Sequence, residues 1–391
     1  MTDARDFFGY SDPDDEPGKR EEPAPDRDDL APPQLEEAIT LDDPAVLKRI
    51  DVSDMLGQVR ELPRQLAIAR RVAAAVELTP RHRDVDAVLV LAMGGSAIGA
   101  ELVAGAGADR LRVPVVVHRD YTLPAWAGDR TLVVAASHSG ETAETLAAAG
   151  EAQRRGLPLA VISTGGQLGK RASEANLPYL RYEMAGQPRA AVGFGAGLFH
   201  ELLARAGLLD DPDPFGPVVD TLEALLDRMS PSVETSANPA KQLAWSLFGR
   251  VVVIYGHGAM GPVAHRWKTQ LNENAKAWAS YDPMPEANHN AIEGSLNPRE
   301  LGDAFYVVQV RDREEPAEIA TRYGVVEELL GERATNRSTV WGEGPTPLAR
   351  VLSAVAYGDL VSVYLAILYQ TDPTPVTLLA MLKERLARAR D

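Results

Sequence analysis

Short apolar runs that end near a glycine, each followed by a helical pattern, dominate the chain from residue 85 onward. A buried parallel strand gives such a continuous run, and a helix between successive strands gives the crossover connection. The pattern therefore predicts an α/β fold. In the first half the predicted strands cover residues 88–92, 113–118, 131–136 and 159–163.

The rhythm stops at residues 210–217, which are dense in turn-forming residues, and then restarts. Apolar residues at helical spacing over residues 44–77 predict one or two amphipathic helices ahead of the first strand. In the second half we predict strands at 250–255, 304–310 and 338–341, and helices around 262–279 and 347–369.

The two halves begin alike, with VLVLAMGGSAIGAELV at residues 88–103 and VVIYGHGAMGPVAHRW at residues 252–267. Both segments have a strand, a glycine turn and a helix in the same order. We therefore expect two doubly wound α/β domains, residues 41–212 and 213–391, with a ligand site between them.

The first forty residues differ in composition from the rest, with 13 acidic and 4 basic side chains and several prolines. Ordering such a segment would cost backbone entropy with little apolar burial to offset it. Residues 1–40 are therefore predicted to form a disordered acidic tail.

Composition excludes several classes of function. The chain has no cysteine, so it has no disulfide framework, thiolate metal site or thiol nucleophile. The net charge of −16 disfavours binding to nucleic acid. Neither a signal peptide nor a charge-free run of membrane-spanning length is present. We expect a cytoplasmic protein with no membrane or nucleic-acid partner.

Two loops at predicted strand ends could bind an anion. Gly94, Gly95 and Ser96 precede a helix whose free N–H groups suit a phosphate, although a plain tight turn would have the same sequence. In the second loop Ser137, Ser139 and Thr142 could converge on one phosphate. Helix capping would explain one of these three hydroxyls but not all of them.

A third glycine loop, residues 256–261, fits the G-x-G-x-x-G pattern of dinucleotide-binding proteins. Such a site also needs a second strand that ends in an acidic residue, and we expect the helix to continue past Glu273 instead. Close packing between helix and strand is therefore the favoured role of these glycines, and NAD binding is a lesser alternative.

Acid–base chemistry is suggested by the segment NENAKAWASYDPMPEANHNAIEG, residues 272–294. Glu273 lies near a helix end, and His289 lies in a loop rich in proline and asparagine. A carboxylate and an imidazole are the usual proton-transfer groups near neutral pH. Taken alone, they could equally be a surface glutamate and a loop histidine. No histidine has metal-ligand spacing, and no metal is expected.

The motifs MGGSAIG, SxSGxT, NENAK, PEANHN and the C-terminal DLVSVYLA…DPTPV…LK occur together and in order. In this combination the chain resembles the bifunctional phosphoglucose/phosphomannose isomerases, which are built from two sugar isomerase (SIS) domains. The resemblance covers roughly residues 43–385. It implies interconversion of glucose 6-phosphate or mannose 6-phosphate with fructose 6-phosphate through a cis-enediol, without a cofactor.

The resemblance also implies a role for each matching residue. Ser137, Ser139 and Thr142 would hold the phosphate, with Gly94, Gly95 and Ser96 opposite. Glu273 would transfer the proton between C1 and C2, Arg189 would offset the enediolate charge, and Lys383 would act at the ring oxygen or the phosphate. His289 would assist ring opening from the second subunit of a homodimer.

Two questions stay open on the sequence alone. Thr374 and Thr377 are both candidates for the residue that lets relatives accept either C2 epimer. A sugar-phosphate-binding SIS regulator without turnover is the alternative function, although no helix-turn-helix segment precedes the first domain and Glu273, His289 and Arg189 are all present.

Overall fold

Helices and parallel strands alternate along the chain in two successive sets. The computed structural model describes residues 39–211, 215–298, 302, 304–331 and 336–389. All but the last two residues of the predicted tail lie outside these ranges. The strands are β1 (Ala87–Leu91), β2 (Val115–His118), β3 (Thr131–Ser137), β4 (Leu159–Ser163), β5 (Tyr179–Arg181), β6 (Val251–His257), β7 (Ala279–Met284), β8 (Phe305–Arg311) and β9 (Asn336–Trp341).

Helices flank both sets of strands, and short 3₁₀ turns connect several of them. The α-helices are α1 (Pro44–Ile50), α2 (Met55–Arg60), α3 (Leu62–Ala74), α4 (Gly94–Ala106), α5 (Ala143–Arg154), α6 (Gly166–Glu174), α7 (Val192–Ala206), α8 (Phe215–Arg228), α9 (Pro239–Leu247), α10 (Met260–Glu273), α11 (Ala317–Gly331), α12 (Pro347–Leu368) and α13 (Thr377–Arg388).

The strands form two parallel sheets, in the orders β2-β1-β3-β4-β5 and β7-β6-β8-β9. In each sheet the chain runs outward in one direction from a central strand and then in the other. The predicted doubly wound α/β fold with two parallel sheets is therefore confirmed. The carboxyl ends of β1 and β3 lie side by side at the point where the order reverses.

The three central strands of the first sheet, β1, β3 and β4, are buried on both faces, which explains their uninterrupted apolar sequences. On β1, Val88 and Val90 belong to the core that is shared with the second sheet. Leu89 and Leu91 face the opposite side, in a separate core with residues of α5 and α6. The shared core continues through α10 and α12, so the two sheets rest on one hydrophobic interior.

Helix α12 is long and apolar enough to cross a membrane, but 94% of its most apolar window is buried within the protein. It contacts α8, α9 and α10 along its length. Two charged residues, Arg350 and Asp359, lie within it. These features are those of the central core helix of a folded domain.

The sequence prediction missed two strands, β5 and β7, and both lie at the edge of a sheet. The β7 sequence ASYDPM contains Asp282 and Pro283, which weaken any strand pattern, and proline is tolerated in a sheet mainly at an edge. The predicted helix over 262–279 is therefore wrong at its end. Helix α10 stops at Glu273, and Lys276 takes a left-handed conformation (φ 54°).

The presence of β7 also corrects one argument about the glycine loop at residues 256–261, because a second strand does follow α10. Gly256 nevertheless has a packing role: a Cβ there would lie 2.2 Å from the carbonyl oxygen of Met260. Asp282 sits within β7 opposite Tyr255 and lines a cavity together with Val253 and Phe305. It is therefore on the face of the sheet rather than beside the glycine loop.

Candidate active site

Two loops of the first domain meet at the switch point of its sheet. The first is Gly94–Ser96, which follows β1 and forms the opening turn of α4 instead of preceding the helix as predicted; the second, Ser137–Thr142, follows β3, the neighbouring strand. The backbone N–H of His138 donates to Ser96 Oγ at 3.0 Å, which joins the loops directly. Both loops line one cavity, whose other walls include Tyr182 and Pro188.

The hydroxyls of the second loop are paired with each other rather than used as helix caps. Ser137 Oγ and Thr142 Oγ1 lie 2.8 Å apart, and the N–H of Gly140 donates to Ser137 Oγ. Thr142 occupies the N-cap position of α5, but its side chain makes no capping hydrogen bond. Ser139 is exposed and accepts from the N–H of Glu141. Two hydroxyls thus lie together at the start of α5, where the free backbone N–H groups of a helix favour an anion.

Glu141 is exposed, as expected for an acid at a helix start. Its carboxylate accepts hydrogen bonds from the backbone and side-chain nitrogens of Gln167, at 2.8 and 2.9 Å. These contacts turn its charge toward the start of α6, where the free N–H groups of a helix favour an anion.

His138 supplies a further polar group to the cavity, one that sequence reasoning did not assign to the site. Its Nδ1 lies 3.0 Å from the hydroxyl of Tyr182, which is buried and stacked on Phe194. Burial lowers the pKa of His138 below its ordinary value. The imidazole is therefore neutral at pH 7.

The third wall is the 3₁₀ turn Pro188–Ala191, which carries Arg189. A Cβ on Gly95 would lie 3.1 Å from the backbone nitrogen of Arg189, so the first glycine loop packs directly on this turn. Arg189 is 2% exposed. Burial lowers the pKa of its guanidinium and the neighbouring Glu273 raises it, and arginine stays protonated throughout.

Glu273 is the last residue of α10, in the second domain, and its side chain is 30% exposed. Arg189 Nη1 lies 3.4 Å from its Oε2. The other guanidinium nitrogens are held elsewhere: Nε donates to Asn274 Oδ1 at 2.6 Å, and Nη2 donates to the carbonyls of Pro373 and Thr374. The carboxylate therefore faces a guanidinium that is fixed on three sides.

Lys276 also binds the backbone of residues 372–374, the segment that accepts hydrogen bonds from Arg189 Nη2. Its Nζ donates to the carbonyls of Glu273, Asn274, Asp372 and Pro373 at 2.8–3.2 Å. Burial, aided by the charge of Arg189, lowers the pKa of Lys276 to about 8. Two cations thus clamp residues 372–374 beside Glu273. Within the same segment, Thr374 Oγ1 is buried and has no hydrogen-bond partner among the described residues.

The structure brings most of the candidate residues into one connected wall: Gly94–Ser96, Ser137, Thr142, Arg189 and Glu273. His289 and Lys383 are exposed, and their side chains form no hydrogen bond or ion pair with any residue in the described ranges. Asn274 and Lys276 were not assigned roles from the sequence, although both lie in the NENAK motif. Among the described residues, no group of three metal-ligating side chains occurs.

Comparisons with known proteins identify the family of the chain. Residues 236–386 match the family model of the bacterial phospho-glucose isomerase C-terminal SIS domain. The bifunctional phosphoglucose/phosphomannose isomerase of Caldicellulosiruptor bescii is 35% identical, over 86% of this chain and 100% of its own length. The chain belongs to the bifunctional phosphoglucose/phosphomannose isomerase family.

Two further similarities extend the match. The family member from Aquifex aeolicus is 31% identical over 80% of this chain and 93% of its own length. A glucose-6-phosphate isomerase like protein from Thermus thermophilus has the same fold, with a TM-score of 0.57, 21% identity and coverage of 88% of this chain and 100% of that one. The resemblance inferred from five motifs is thereby confirmed.

Proposed function

We propose that the chain is an aldose–ketose isomerase that interconverts glucose 6-phosphate and mannose 6-phosphate with fructose 6-phosphate. The observation that carries the proposal is the contact between Arg189 and Glu273, which lies beside the Gly94–Ser96 and Ser137–Thr142 segments. Membership of the family supplies the substrate class. The side chains at the site supply the chemistry.

The phosphate end of the sugar is assigned to the Ser137–Thr142 loop. Ser137, Ser139 and Thr142 offer hydroxyl donors, and α5 offers its free backbone N–H groups. Gly94, Gly95 and Ser96 close the opposite side, where the missing Cβ atoms let the backbone approach the ligand. A phosphate held in this way is bound by neutral donors and a helix dipole rather than by an ion pair.

Glu273 is the proton-transfer base. It takes the proton from C2 of the open-chain aldose and returns it to C1, while O1 gains a proton and O2 loses one. A single carboxylate can serve both steps because it alternates between base and acid. The intermediate carries negative charge on oxygen, and the fixed guanidinium of Arg189 stabilises that charge more than it stabilises the neutral substrate.

His289 and Lys383 are assigned to ring opening and to the ring-oxygen or phosphate end. Their exposure in the single chain is what a shared site requires, because a homodimer would bring His289 to the Glu273 of the other subunit. We therefore include a homodimer in the proposal. Thr374, whose hydroxyl has no partner in the described structure, is the stronger of the two candidates for tolerance of both C2 epimers.

The alternative is an SIS protein that binds hexose phosphates without turning them over. Such a binder would use the same residues to hold the phosphate, so only Glu273 and Arg189 distinguish an isomerase from a binder. A binder has no need to hold a guanidinium beside a carboxylate.

The deciding experiment is a coupled assay of fructose 6-phosphate formation from each aldose phosphate, with and without EDTA. We expect turnover of at least one epimer at a rate that EDTA does not change, because a carboxylate base and a guanidinium need no metal. Saturable binding of both sugar phosphates without turnover would support the regulator instead. Inhibition by EDTA would contradict the mechanism.

A further inference from the structure

A fully buried ion pair lies behind Arg189, where α10 crosses α12. Arg266 Nε donates to Asp359 Oδ1 at 3.0 Å, and Arg266 Nη2 donates to Oδ2 at 2.6 Å. The two side chains are only 1% and 4% exposed. Neither residue lines the cavity between the two loops, and no role was assigned to either from the sequence, although Asp359 begins the DLVSVYLA motif.

The pair closes a ring of hydrogen bonds that includes two atoms of Arg189, its backbone carbonyl oxygen and its side-chain Nε. On one side Arg266 Nη2 donates to the backbone carbonyl of Arg189 at 2.8 Å. On the other, Ser362 Oγ donates to the Asp359 carbonyl at 2.7 Å and accepts from Asn274 Nδ2 at 2.9 Å. Asn274 Oδ1 then accepts from Arg189 Nε at 2.6 Å. Backbone and guanidinium of Arg189 are thus held from two directions.

Stability alone is a poor reason for such an arrangement. Burying an ion pair costs desolvation free energy, and apolar residues of similar volume are often at least as stabilising. The surrounding contacts of α10 and α12 are already apolar, with Trp267 and Ala354 fully buried. The ring instead orients Arg189. An unrestrained arginine side chain has four rotatable bonds, and the ring holds both the backbone carbonyl and Nε of Arg189 in place.

We propose that Arg266 and Asp359 are positioning residues that keep Arg189 Nη1 directed at Glu273. The inference rests on the proposed isomerase function and deepens it. Arg189 Nε donates to Asn274 within the ring, and Nη2 donates to the carbonyls of residues 373 and 374. Nη1 remains to donate to the carboxylate of Glu273 and to the side chain of Gln187. Asn274, next to Glu273 in the chain, transmits the same constraint to the base itself.

The first test is Asp359→Asn, which keeps the shape but removes the charge that orients Arg266. We expect kcat to fall by roughly 10–100-fold, because misplacing a catalytic group by about 1 Å can cost 10²-fold. KM should change by less than about threefold, since phosphate binding is assigned to the Ser137–Thr142 loop. Such a split in kcat against KM would not follow from a merely structural role.

A matched control is Asp312→Asn, which removes one of the two acidic partners of another buried arginine: Arg350 lies 2.8 Å from Asp312 and 2.6 Å from Glu314. That pair lies at the start of α12 and makes no contact with Arg189. We expect this variant to lose stability but to keep the native kcat. Ser362→Ala opens the ring without leaving a buried charge, and it replaces Asp359→Asn if the latter does not fold; its expected loss in kcat is about tenfold.

The closing experiment combines Asp359→Asn with Arg189→Ala and adds a readout that is independent of turnover. If the pair acts through Arg189, Asp359→Asn causes no further fall in kcat once Arg189 is alanine. In native protein the Arg189 Nε–H signal in ¹⁵N-arginine NMR should exchange slowly with solvent, and Asp359→Asn should accelerate it while Asp312→Asn should not.

The outcomes separate the two proposals. Additive losses in kcat, or unchanged exchange at Arg189, would overturn the positioning role while leaving the isomerase intact. A native chain that makes no ketose phosphate would overturn the isomerase, and the exchange measurement would still decide whether the ring restrains Arg189.

Discussion

Arg189 Nη1 and Glu273 Oε2 lie 3.4 Å apart, although the arginine comes from the first domain and the glutamate from the second. The contact places a guanidinium beside a carboxylate where the elements around the two sheets meet. In the proposed mechanism these are the oxyanion-stabilising group and the base, and the elements around neither sheet alone supply both.

Loss of the hydroxyl pair should weaken phosphate binding. We expect Ser137→Ala and Thr142→Val each to raise KM for the aldose phosphate by roughly 10–100-fold, since a hydrogen bond to a charged group contributes about 1.5–3 kcal/mol. Effects on kcat should be smaller. Steady-state kinetics provide the measurement, and Ser173→Ala, a serine on α6 that bonds only the Gly169 carbonyl, is the matched control.

A side chain at Gly95 should displace Arg189 and so alter its contact with Glu273, the proposed base. An added Cβ would lie 3.1–3.2 Å from Arg189 N and from the carbonyl of Pro188, so this turn must shift by a few tenths of an ångström. We expect Gly95→Ala to lower kcat/KM by roughly 3–10-fold. Gly324→Ala on α11, where a Cβ meets nothing within 4 Å, should leave kcat/KM at the native value.

Lys276 should give the enzyme an alkaline limit. Burial lowers the pKa of Lys276 to about 8, so its ammonium is lost as the pH rises through that value and the clamp on residues 372–374 weakens. We expect kcat/KM to decline with a midpoint near pH 8. In Lys276→Arg, whose charge persists to far higher pH, the decline should move up by at least one pH unit; an unmoved midpoint would exclude Lys276 as its cause.

The same group has the opposite effect on stability. Its pKa is about 8 in the folded chain against an ordinary value of 10.5, so the unfolded state binds more protons between these limits. The contribution of Lys276 to the free energy of unfolding therefore rises with pH across this window. Denaturant unfolding of the native and Lys276→Met proteins at pH 7.5 and 10 tests the sign, because only the native protein should gain this contribution.

Sequence reasoning reached the fold, and it singled out the two loops that the structure brings together, because both depend on local pattern. Strands such as β3 and β4 are buried on both faces and give continuous apolar runs, and the hydroxyls of the Ser137–Thr142 loop lie within six residues. The edge strands β5 and β7 were missed because one has only three residues and the other contains a proline.

The contact between Arg189 and Glu273 was beyond local pattern. The two residues are 84 positions apart, one in a 3₁₀ turn after the first sheet and the other at the end of α10, so only the resemblance to a family suggested that they act together. Lys276 and Asp359 both lie in motifs that carried the resemblance, NENAK and DLVSVYLA, but no role could be assigned to them, because a lysine after a helix end and an aspartate in a core helix become meaningful only through their partners.

A shared site should permit complementation between two inactive variants. We expect Glu273→Gln and His289→Ala to be inactive separately. When their subunits exchange in an equal mixture, up to about one quarter of the native activity should return. Random pairing makes half of the dimers mixed, and each mixed dimer has one intact site of its two. Native mass spectrometry of the mixture checks that exchange has occurred. No recovery in exchanged dimers would mean that each chain completes its own site.

The most direct test of the whole account is the rate of fructose 6-phosphate formation by the native chain and by Glu273→Gln, with folding of both checked by circular dichroism. Glutamine keeps the size of the side chain but cannot accept the C2 proton. We predict a fall in kcat of roughly 10²–10⁴-fold or more, the usual contribution of a positioned acid–base group. Equal rates for the two proteins would contradict the account.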